Sequence, residues 1–169
     1  MKTALLVLSL VAFPFVAQAR PAWTFGTERL GASLTLVDPD DGGEGDNPSL
    51  TCSRGRFTAL AFADGDHFPL HTSGPQSMIQ LNSQGRPGPW PSRLTISSGA
   101  VSVVAVGRAE YGGEMNGTTL VRGTLPMTAP VVRNFTATGR IRLVAYGQDA
   151  NLPPVPRPLL ARFTSACRG

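Results

Sequence analysis

Both histidines of the chain fall in one short stretch, Asp64-Gly65-Asp66-His67-Phe68-Pro69-Leu70-His71. Two carboxylates and two imidazoles this close together form a donor set for a transition metal, or the acid and base of a hydrolytic site. A His-x-x-x-His spacing puts both rings on one face when the segment is a helix, as in zinc proteases. Here Pro69 lies between the two rings and Gly65 just ahead of them, and both residues oppose a helix. No glutamate stands between the histidines to act as general base. The plainer expectation for Asp64, Asp66, His67 and His71 is a polar turn between strands. The metal-dependent or hydrolytic enzyme is the alternative.

Other chemistry-bearing patterns are fragmentary. Asp38, Asp40, Asp41, Glu44 and Asp46 offer hard oxygen ligands, but Gly42 stands where a calcium loop places its third carboxylate. Glu110 and Glu114 flank Tyr111-Gly112-Gly113, and sequence spacing alone does not set the separation that a glycosidase pair needs. The chain has no G-x-S-x-G or S-x-x-K nucleophile motif, and no G-x-G-x-x-G or G-x-x-x-x-G-K phosphate loop. No cofactor is expected.

Two aromatic residues suit recognition better than catalysis. Trp90 sits in Arg86-Pro87-Gly88-Pro89-Trp90-Pro91, and Tyr111 in Glu110-Tyr111-Gly112-Gly113. Connectors rich in glycine and proline run over the surface, where stiff aromatics lose little entropy on binding. Arg86 and Arg93 would add contacts to an acidic partner. Trp90 turned inward, closing one end of a β core, is the competing expectation.

The setting of these residues is written at the two ends of the chain. Lys2, the apolar run Ala4–Val16 and Ala17-Gln18-Ala19 have the order of a secretory leader cleaved after residue 19. The apolar run is too short to span a bilayer, which takes about 20 residues, so a retained anchor is the weaker alternative. Residues 20–169 then form one mature domain with no further apolar run of spanning length. Lys2 is the only lysine; without the leader, 14 arginines face 11 acidic residues. The arginines are scattered rather than clustered, which argues against nucleic-acid binding. Cys52 and Cys167 are the only cysteines, and in an oxidising compartment such a pair is expected to form a disulfide.

Glycine (19) and proline (15) cut the chain into short pieces, most of them strand-like. Ser33–Val37, Arg56–Phe62, Met78–Leu81, Leu94–Ile96, Ala100–Val106 and Ile141–Tyr146 read as strands, with a hairpin turn over Ser97–Gly99. Asp38–Pro48, Gln84–Pro91, Glu110–Gly117 and Asp149–Pro158 read as connectors. Leu159, Leu160, Phe163 and Cys167 fall near helical spacing behind Pro158, so a short amphipathic helix is expected over Pro158–Cys167. Cys167 would fasten that helix to the strand carrying Cys52. A weaker helical turn is expected over Pro130–Phe135. The expected fold is mainly β: a small single-domain sandwich or open barrel with a C-terminal helix held by the disulfide.

Trp23 soon after the leader, Leu50-Thr51-Cys52-Ser53-Arg54-Gly55 and Phe163-Thr164-Ser165-Ala166-Cys167 give the chain an outline. In that outline it resembles small exported bacterial β proteins such as the periplasmic accessory proteins of type VI secretion. The resemblance implies a fold and a compartment and carries no catalytic residues. The expectation for function is therefore a non-enzymatic binding or accessory protein of the bacterial envelope, periplasmic or secreted, whose partner is an envelope protein or a cell-wall component. The sequence does not specify its oligomeric state.

Overall fold

The strand Arg56–Asp64 shows how the sequence specifies the sheet. Phe57, Ala59, Ala61 and Ala63 are buried, and the residues between them are half-buried. That two-residue period belongs to a strand with one face on a core. The computed structural model describes residues 20–29, 31–39, 47–65, 88–111, 118–150 and 152–168. They form β1 (Ala22–Glu28), β2 (Gly31–Val37), β3 (Ser49–Ser53), β4 (Arg56–Asp64), β5 (Trp90–Ser98), β6 (Val101–Tyr111) and β7 (Thr118–Pro126). Helix α1 (Pro130–Thr138), β8 (Arg142–Ala145), β9 (Gln148–Asp149) and α2 (Arg157–Ala166) complete the order.

All nine strands of the described residues belong to one antiparallel sheet in the order β1-β2-β3-β4-β7-β6-β5-β8-β9. The sheet curls into a half-barrel, so the open barrel is the outcome rather than the sandwich. Small residues line the inside of the curl: Ala59, Ala61 and Ala63 on β4, Ala105 and Ala109 on β6, and Ala145 on β8. β6 and β7 approach closely at the pair Gly107–Gly123. A Cβ at Gly107 would lie 1.9 Å from the Arg122 carbonyl oxygen, and one at Gly123 would lie 3.0 Å from Leu94 Cβ. Only glycine lets the backbones meet this closely. Beyond that pair the strands part. β7 continues along β4 to Pro126, whereas residues 101–106 of β6 pair with β5 alone.

The large apolar side chains come from the sheet and from both helices. Phe57 of β4, Phe135 of α1 and Phe163 of α2 are fully buried, with ring centroids 5.8 Å apart for Phe57–Phe135 and 6.3 Å for Phe135–Phe163. Tilted and edge-on contacts of this kind add to area burial. The Asn134 amide nitrogen donates to the Ser98 carbonyl at 2.6 Å, holding α1 against the end of β5. The guanidinium of Arg162 lies 4.2 Å from the centroid of the Phe25 ring, holding α2 against β1. Trp23 Nε1 donates to the Pro153 carbonyl at 2.8 Å and fixes the segment ahead of α2. Cys52 and Cys167 form the expected disulfide, with their Cα atoms 5.6 Å apart, so α2 is fastened to β3 just past its last turn.

The curl is drawn in by a side chain. Gln148 Oε1 accepts from the Asp64 main-chain N–H at 2.7 Å, and Gln148 Nε2 donates to the Asp64 carbonyl at 2.9 Å. The amide side chain thus bonds like a peptide group of a neighbouring strand, and it links β9 to the end of β4.

Several sequence expectations need correction. Gln84–Pro91 is not irregular throughout, because Trp90 and Pro91 open β5; likewise Glu110 and Tyr111 belong to β6. The β5–β6 turn is Gly99–Ala100, with Ser97 and Ser98 inside the strand. The helical turn at Pro130 runs on to Thr138, and the C-terminal helix spans Arg157–Ala166. The expected leader, residues 1–19, and the expected strand Met78–Leu81 lie outside the described residues.

Candidate functional site

The outward face of β6 is built by alternation. Val101, Val103 and Ala105 turn toward the core, so Ser102, Val104, Val106 and Arg108 turn outward. Val104 is 54% exposed and Val106 80% exposed; of the described residues, only these two and Tyr146 are large apolar side chains left so open. Arg93 of β5 is directly opposite Val106, and Arg122 of β7 is directly opposite Arg108. All three arginines are exposed. Like charges facing each other across a ladder destabilise it. The ion pair found among the described residues, Arg142–Asp149, lies elsewhere.

Among the described residues the edge beside these side chains has no strand partner. The ladder with β5 closes at Ser98–Val101 across the two-residue turn. In an antiparallel ladder alternate residues bond to the same neighbour. Val101, Val103 and Ala105 therefore bond to β5, while Ser102, Val104 and Val106 direct their N–H and C=O groups to the other edge. Among the described residues no strand pairs there before Gly107.

The residues anticipated from sequence are dispersed. Arg93 lies on this face. Trp90 opens β5 half-buried and packed against the core, the inward arrangement. Tyr111 ends β6, and its side chain lies outside the described set, as does Arg86. Asp64 ends β4 with its main chain clamped by Gln148, and the Thr119 hydroxyl donates to the Gly65 carbonyl at 2.8 Å. Asp66, His67 and His71 lie outside the described residues. Cys52 and Cys167 are joined.

Val104, Val106, Arg108 and Arg122 were not singled out from sequence. The signal for the valines was present: the apolar parity changes within Val101-Ser102-Val103-Val104-Ala105-Val106, which puts valine on both faces of one strand. Arg122 gave no such signal, because its place opposite Arg108 depends on long-range pairing.

No protein family, characterised protein or solved structure matches the chain.

Proposed function

We propose that this chain is an exported, non-enzymatic accessory module of the bacterial envelope that binds a partner protein along the outer edge of β6. The observation that carries this is the edge over residues 101–106, with exposed Val104 and Val106 set among Arg93, Arg108 and Arg122. The partner is an extended segment of an envelope protein that alternates acidic and apolar residues. Its main chain completes the ladder, its apolar side chains cover the two valines, and its carboxylates neutralise the arginines. A second copy of the chain would bring the same arginines to the edge and lacks that complementarity. Export is supported by the leader-like residues 1–19 and by the Cys52–Cys167 bond, which persists in oxidising compartments.

The test passes envelope extract over residues 20–169 and over the same chain carrying Val106→Lys and Arg108→Glu. Amide exchange is then measured on the captured complex. Capture lost in the variant, together with slowed exchange at Val104 and Val106, is the expected result. Capture that the variant retains, or a complex that leaves those amides unprotected, rejects the proposal. Concentration-dependent dimerisation that Val106→Lys abolishes would replace the envelope partner with a second copy.

A further inference from the structure

A concave site lies on another part of the molecule, against the disulfide. A cavity of about 510 Å³ is lined by Arg29, Gly31, Cys52, Ser53, Arg54, Gly55, Ala166, Cys167 and Arg168. The three arginines come from three separate segments: the end of β1, the β3–β4 turn and the residue pair after α2. Among the described residues no carboxylate lines the cavity, and none lies within ion-pair distance of these guanidinium groups. A cation beyond a helix C-terminus complements the helix dipole, and Arg168 is so placed. That accounts for one of the three charges.

The backbone supplies an independent observation. Arg54 has φ 49° and Gly55 φ 73°, the left-handed pair of a tight hairpin turn. Such turns favour Asn-Gly or Gly-Gly, and an arginine there is strained by about 1–2 kcal/mol. Strain of this kind is retained where the side chain has work to do.

We propose that this cavity binds a phosphoryl group, with the Arg29, Arg54 and Arg168 guanidinium groups as its ligands. Arginine presents planar forks of donors matched to such oxyanions. The cavity is several times the size of a phosphate, so it leaves room for the group that carries the phosphoryl, whether a free phosphomonoester or a lipid headgroup. Cys52 and Cys167 both line the cavity, so an occupant sits against the disulfide.

The experiment uses residues 20–169 with inorganic phosphate, glycerol phosphate and vesicles containing phosphatidic acid. Sodium chloride of equal ionic strength is the control. The expected result is saturable binding, weakened about tenfold by Arg54→Asn or by Arg168→Gln, the loss of one charge-assisted hydrogen bond. Arg133→Gln on α1 leaves it unchanged. Arg54→Asn also relieves the strained turn, so this variant binds more weakly while melting at a higher temperature, and loss of folding does not produce that combination. Phosphate likewise slows reduction of the disulfide by dithiothreitol. Binding to glycerol phosphate identifies a free ligand, and binding to vesicles alone identifies a headgroup. Stabilisation equalled by sodium chloride, or retained in both variants, overturns the proposal.

Discussion

At the scale of single residues, the centre of the molecule is Phe135. It touches Phe57 from the sheet and Phe163 from α2, so one side chain joins three elements. Its ring is fully buried, and truncation leaves a cavity that a sheet on one side and a helix on the other cannot close. Phe135→Ala is expected to lower unfolding free energy by about 3–5 kcal/mol, read as a shift of the urea midpoint. Phe163 was visible in the sequence as part of a helical stripe behind Pro158. Phe135 was visible only as the end of a weak helical turn, because Pro130-Val131-Val132-Arg133-Asn134-Phe135 holds β-branched residues that favour strands. Tertiary packing overrides that local preference. The start of β5 at Trp90 was missed for a related reason. Pro91 punctuates the sequence, yet its missing N–H is not needed at a position opposite Arg108, where the ladder with β6 takes no hydrogen bond.

At the scale of elements, the long-range pairing escaped a linear reading. β4 and the C-terminal helix carry clean periodicities and were legible. β7 was not, because Gly123 and Pro126 interrupt Thr118–Pro126 and its partners β4 and β6 are distant in sequence. Even the candidate binding edge depends on this. It exists because β6 and β7 separate at Gly107–Gly123, and nothing local announces where two strands will part. The closure at the other end is equally non-local, since Gln148 and Asp64 are separated by 84 positions. Gln148→Leu removes both bonds to the Asp64 main chain. The expected loss is about 1–2 kcal/mol of stability, with faster amide exchange at Asp64 than in the parent. Unchanged exchange there would show that the link does not hold β4.

At the scale of the whole molecule, the disulfide joins residues 115 apart. Closing a loop of that length restricts the unfolded chain by about 4–5 kcal/mol in the entropy treatment. A Cys52→Ala, Cys167→Ala variant is therefore expected to melt well below the parent, and reduction of the parent should reproduce most of the shift in a thermal scan. The pairing was legible from the cysteine count and the expected compartment. What it encloses was not, because strand order follows from contacts rather than from spacing.

The same bond makes a covalent ring of residues 52–167, from β3 to the end of α2. Within such a ring a protease acting between Gly55 and Ala166 opens the circle without releasing a piece. Both new ends stay tethered within one molecule, and the sheet keeps its strands at intramolecular concentration. A chain cut once inside the ring therefore persists as one covalent particle, and its two pieces separate only once the sulfur bridge is broken.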